Sequence, residues 1–126
     1  DQAWGRGDIW LAALLFTNAL EDTPDQGYAT SSLLSKRSSC YAMLGQGDAS
    51  LADAQKATEL TPEWSKPWSQ VGHAFTMVEA TAESLQGSID AYSKAVEIDP
   101  CDADVEALGA AVAKMAWAGD AKPWTE

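Results

Sequence analysis

Three prolines, Pro24, Pro62 and Pro100, stand 38 residues apart, and the stretches ahead of them align without gaps. These stretches are Ala12 to Pro24, Ser50 to Pro62 and Ser88 to Pro100. Ala19, Ala57 and Ala95 keep the spacing, and so do Glu21, Glu59 and Glu97. Self-similarity at a fixed period marks a chain of stacked units, each burying an apolar face on the next.

Each aligned stretch reads as a helix that stops at its proline. Ile89, Tyr92, Ala95 and Val96 fall at helical spacing. Proline cannot continue a helix and biases its predecessor away from helical geometry, so the three prolines mark ends. The recurring alanine has a physical reason, since antiparallel helices approach closely only where a side chain is small. A second helix precedes each of these. Leu33, Leu34, Arg37, Tyr41 and Leu44 form an amphipathic stretch that ends at Gly45-Gln46-Gly47-Asp48, where glycine stops one helix and Asp48 is placed to cap the next. Trp68, Val71, Gly72, Phe75 and Val78 repeat the pattern. In the first unit only Ala3-Trp4 precedes Gly5-Arg6-Gly7-Asp8, so its leading helix is mostly missing. Val105, Leu108, Val112 and Met115 form a last amphipathic helix, the expected cap on an apolar end.

Trp68-x-x-Val71-Gly72-x-x-Phe75, followed by Tyr92-x-x-Ala95 and Pro100, resembles the tetratricopeptide repeat. The second unit keeps Tyr41, Leu44-Gly45, Ala57 and Pro62, but has Ser38 for the close-packing glycine and Ala54 for the aromatic. The first keeps Gly7-Asp8, Ala12, Phe16, Ala19 and Pro24. The resemblance implies an all-α, right-handed solenoid of three helix–turn–helix repeats with a C-terminal capping helix. The repeat domain spans 1–117, with repeats at about 1–26, 31–64 and 65–102, a capping helix at about 103–117 and a tail at 118–126. The usual repeat has about 34 residues. Of the extra residues, one group falls at Gly27-Tyr28-Ala29-Thr30, between the first two units. The other falls near Glu79-Ala80-Thr81-Ala82, where one more helical turn leaves the packing register intact.

Composition excludes several functions. The net charge of −11 argues against nucleic acid and anionic lipid and favours a neutral or basic partner. No segment reaches the roughly 18 consecutive apolar residues of a membrane span, so no direct membrane insertion is expected. The chain opens on Asp1-Gln2 rather than a basic stretch, so no signal peptide is visible; without an initiator methionine it reads as a mature form or a piece of something longer. Two cysteines are too few for a disulfide framework: Cys40 reads as a buried core residue and Cys101 as an exposed thiol, in keeping with a cytoplasmic or other reducing compartment. The lone His73 has no neighbours for a metal set, and no catalytic constellation is present. The expectation is a non-catalytic protein without cofactor or metal.

Binding is then the expected work: a protein–protein scaffold or adaptor, or a subunit of a larger assembly. By resemblance the leading helices line a concave groove. It would show Ser32, Ser35, Lys36, Ser39 and Met43 from the second unit, and Lys66, Ser69, Gln70, His73, Thr76 and Met77 from the third. Small, polar and pliable residues suit an extended peptide, although a polar helix face is as often simply solvated. In some members such a groove clamps the C-terminal Glu-Glu-Val-Asp tail of heat-shock chaperones with two Lys, two Asn and an Arg. The first Lys would precede Asp1, the Asn positions match Asp1 and Lys36, the second Lys matches Lys66, and the Arg matches Gln70. Loss of charge-assisted contacts to carboxylates makes a co-chaperone module the second reading. On the trailing helix of the first unit, Trp10, Leu11 and Leu14 stand where the family usually carries charge. That face is expected to be covered, by a partner protein or by a segment ahead of the chain.

Overall fold

The computed structural model describes residues 6–23, 27–78 and 81–118. They form six helices in chain order: α1 (Arg6–Glu21), α2 (Tyr28–Met43), α3 (Gly47–Leu60), α4 (Ser65–Met77), α5 (Ala82–Ile98) and α6 (Asp102–Ala118). No strand occurs among the described residues. Each helix packs on its neighbours in sequence, and α2 also touches α4, so the leading helices share one surface while α3 and α5 stand behind it. This is an all-α solenoid of repeats. Pro24, the Asp1–Gly5 stretch, Glu79-Ala80 and the tail beyond Ala118 lie outside the described residues.

The recurring small residues account for the close helix approach. Ala54, Ala57, Ala74 and Ala95 are fully buried. A Cβ on Gly72 would lie 2.7 Å from the Tyr92 ring, and one on Gly87 would lie 2.7 Å from the Phe75 ring. In the second unit Ser38 and Ala54 stand in these places, with the bulk moved from the trailing helix to the leading one. A shared hydrogen bond survives the exchange. Ser50 Oγ donates to the Ser38 carbonyl at 3.0 Å, and Ser88 Oγ donates to the Gly72 carbonyl at 3.0 Å.

The turns depart from expectation in two places. Gly45 stops α2 with φ of 77°, as the sequence suggests, but Gln46 holds the N-cap position of α3, with no capping bond from its side chain, and Asp48 lies within the first turn. There the carboxylate faces the positive end of the helix dipole. Tyr28-Ala29-Thr30 is not a connector: it is the first turn of α2. Ser31 on that turn bonds Thr61 Oγ1 at 2.7 Å and donates to the Ala57 carbonyl at 3.2 Å, which fastens the added turn to the end of α3. In the third unit the added residues lengthen α5 to 17 residues against 14 in α3. Thr81 and Ser84 close its N-terminus with a reciprocal capping box.

Candidate functional site

The shared surface of α2 and α4 is built around Gln70. Its amide donates to the Ser35 carbonyl at 3.0 Å and to Ser39 Oγ at 2.7 Å, and its carbonyl accepts from Ser35 Oγ at 2.6 Å. Gln70 therefore ties the two leading helices together and leaves little polar capacity for a ligand. Ser69 makes the next tie, donating to Asp104 on α6 at 2.6 Å. Four expected groove residues, Ser35, Ser39, Ser69 and Gln70, are thus tied into contacts between helices.

Lys36, Met43, Lys66, His73 and Thr76 are exposed, and Ser32 is half-buried. Thr76 Oγ1 donates back to the His73 carbonyl within the helix. His73 and Thr76 border a small cleft under α6, whose rim includes Lys114. Lys114 is a further cation on a leading-type helix that the sequence reading did not single out. Met77 belongs elsewhere. It packs against Gly47 at the α2–α3 turn, where a Cβ on that glycine would lie 3.0 Å from Met77 Cβ.

Beneath this surface Arg37 clasps Asp53 with two bonds of 2.7 Å, and its third nitrogen donates to Thr17 Oγ1 at 3.0 Å. One guanidinium thus joins α1, α2 and α3, and it lies over the Tyr41 ring. The bond to Asp53 raises the Arg37 pKa against the opposing pull of desolvation. Arg37 is therefore spent within the fold. Among the described residues Lys36 and Lys66 form no ion pair. Burial pushes the Cys40 thiol up, as fits a core residue, and Cys101 is exposed. No group of His, Cys, Asp and Glu suited to a metal ion occurs among the described residues, and no described helix is long and apolar enough to cross a membrane.

On α1, Trp10, Leu11 and Leu14 are 48%, 54% and 54% exposed, and Leu15, which the sequence reading passed over, is 56% exposed. Ile9 and Ala13 face inward against Cys40 and Leu44. The repeat divides the exposed set. Trp10 and Leu14 align with Asp48 and Ala52, and with Gln86 and Asp90, which are exposed in their own units. Leu15 aligns with Asp53 and Ala91, which are buried by a leading helix.

The fold and its tied leading helices define a helical-repeat module. The Sgt2 TPR domain of Aspergillus fumigatus matches with a TM-score of 0.79 and 30% identity, over 91% of this chain and 73% of that one. The chain belongs to the tetratricopeptide repeat family. Among curated proteins, the heat-shock protein cognate (HSC) co-chaperone sgt12 of Aspergillus fumigatus is 34% identical over 77% of this chain and 26% of its own length. The first TPR of Spaghetti, solved bound to the HSP90 peptide SRMEEVD, shares the fold at a TM-score of 0.76 and 20% identity, over 87% of this chain and 82% of that one. The chain spans about a quarter of the length of the curated relatives it matches first. No protein-family model matches it.

Proposed function

We propose that the α2–α4 surface holds the acidic C-terminal tail of a heat-shock chaperone, with Lys36 and Lys66 as the cations that meet its carboxylates. The observation that carries this reading is the placement of two exposed lysines, with no ion pair among the described residues, on adjacent leading helices, a local cationic surface on a chain whose net charge of −11 by itself favours a neutral or basic partner. Two such cations on one surface can meet the carboxylates of an anionic peptide locally, against the long-range repulsion of the rest of the chain. The relative named as a co-chaperone supports the same choice. The reading is narrower than the general adaptor expected from sequence, and it makes the second reading there the first one here. Gln70 takes the place of the family's arginine and is tied to α2, so the grip rests on fewer charges and is weaker than a full clamp.

Calorimetry with a peptide ending in Glu-Glu-Val-Asp tests the proposal. Binding should be measurable, and Lys66→Ala or Lys36→Ala should each weaken it by about tenfold or more. A hydrogen bond to a charged group contributes about 1.5–3 kcal/mol, and about 1.4 kcal/mol is tenfold. Amidating the peptide's terminal carboxylate should weaken binding similarly. No heat at peptide concentrations of about 1 mM would return the protein to the general adaptor class.

A further inference from the structure

The second and third units differ in what stands between their trailing helices. In the second, Arg37 of α2 reaches both α1 and α3. It clasps Asp53 with two bonds of 2.7 Å, donates to Thr17 Oγ1 at 3.0 Å and lies 5.7 Å from the centre of the Tyr41 ring. A carboxylate, a neutral oxygen and an aromatic face thus hold one guanidinium. The third unit keeps the surroundings and loses the guanidinium. Val71 lies 34 positions after Arg37, as Phe75 does after Tyr41, while Gln55 and Ala91 lie 38 positions after Thr17 and Asp53.

Val71 is shorter than Arg37 and carries no charge. Where it stands, a cleft of about 460 Å³ opens between α3 and α5, with Trp68, Val71 and Phe75 of α4 at its base. Phe75 reaches it because Gly87 has no side chain: a Cβ there would lie 2.7 Å from the ring. Trp68 is held by its indole N–H, which donates to the Pro62 carbonyl at 2.9 Å. Gln55 and Glu59 line the α3 side and Asp90 the α5 side, one position from Ala91. Both carboxylates are exposed, and neither forms an ion pair among the described residues. Asp90 accepts one bond from Gln86, at 2.8 Å, and keeps acceptor sites to spare.

We infer that this cleft receives an arginine side chain from a basic peptide segment of a partner protein. The second unit shows which chemistry such a groove holds, and the third offers a carboxylate, a neutral oxygen and aromatic rings with no cation of its own among them. The carboxylate has also moved outward. Asp53 is buried and meets a guanidinium rising from the helix below, whereas Asp90 and Glu59 are exposed and meet one that enters from solvent. Arginine suits the site better than lysine, because its planar fork can meet a carboxylate while its face lies on a ring. The net charge of −11 draws a basic segment in from a distance. The cleft shares no residue with the Lys36–Lys66 surface, so the inference does not rest on capture of an acidic tail.

Nuclear magnetic resonance titration of the full chain with a blocked peptide of alternating arginine and glycine tests this. The Trp68 indole N–H and the Gly87 amide should shift and saturate, with a Kd of about 1 mM or below. The same peptide with lysine should bind about threefold or more weakly, and one with uncharged citrulline should leave both resonances in place. Glu59→Gln/Asp90→Asn, at two exposed sites, should keep the fold and weaken the arginine peptide by about fivefold or more. Val71→Arg/Ala91→Asp rebuilds the clasp of the second unit and should close the cleft to the peptide. Several results overturn the inference: no shift at either resonance, a citrulline or lysine peptide that binds as tightly, or binding undiminished by Glu59→Gln/Asp90→Asn, which would be attraction to the overall charge alone. A refilled cleft that is helical by circular dichroism and still binds overturns it too. If that variant does not fold, the carboxylate variant decides.

Discussion

At Gly72 and Tyr92 the sequence shows how one residue's size dictates its neighbour's. Gly72→Ser should drive a hydroxymethyl into the Tyr92 ring, since even a Cβ would lie 2.7 Å from it. Overpacking of this kind costs roughly 1–3 kcal/mol. The second unit shows a tolerated alternative, Ser38 with Ala54. The double variant Gly72→Ser/Tyr92→Ala should therefore lose less stability in urea than the two single losses added, with a coupling of about 0.5–3 kcal/mol. Strict additivity would mean that the exchange between units is not compensatory. Tyr92 carries a second expectation. Burial, with the Asp104 carboxylate adding to it, pushes its hydroxyl up from 10.0 to about 12. The neutral phenol is favoured in the folded chain, so its contribution is fully present below pH 10 and is lost as pH rises towards 12. The thermal midpoint of the wild type should fall more steeply across that window than that of Tyr92→Phe. Parallel curves would show that Tyr92 titrates alike in both states.

The helices and most of their ends were legible in the sequence because they rest on local chemistry, whereas the starts of α2 and α3 were not. Ala57 and Ala95, picked out by period alone, prove fully buried, and Gly45 adopts the left-handed geometry that a helix stop requires. Ala57→Leu and Ala95→Leu should each cost about 1–3 kcal/mol or more, read as a lowered thermal midpoint. Midpoints equal to the wild type would contradict the tight contact. What escaped the sequence depends on residues far apart in the chain. Gln70 looks like a free groove residue until Ser35 and Ser39, more than 30 positions away, are placed against it. Arg37 reads as one member of an amphipathic stripe, and only the fold reveals Asp53 and Thr17 as its partners. Removing the cation with Arg37→Met leaves Asp53 without its ion pair, which costs about 3–5 kcal/mol where a pair is buried. Arg37→Met/Asp53→Leu should recover much of that loss in chemical denaturation. A single variant as stable as the wild type would show the clasp to be superficial. Leu15 was visible in the alignment with Asp53 and Ala91, but the signal lay in comparing the units' surroundings rather than their residue types.

For the molecule as a whole, the proposed peptide capture is electrostatic in origin and should weaken with salt. It rests on Lys36 and Lys66 meeting carboxylates at an exposed surface, so ions screen the attraction directly. Raising salt from about 0.05 M to about 1 M shortens the screening length from more than 10 Å to about 3 Å. Over that range the affinity for an acidic tail peptide should fall, read by fluorescence anisotropy of a labelled peptide. Lys66→Ala should flatten that response, because one of the two cations that ions would screen is gone. If salt strengthens peptide binding, the carboxylate grip is wrong.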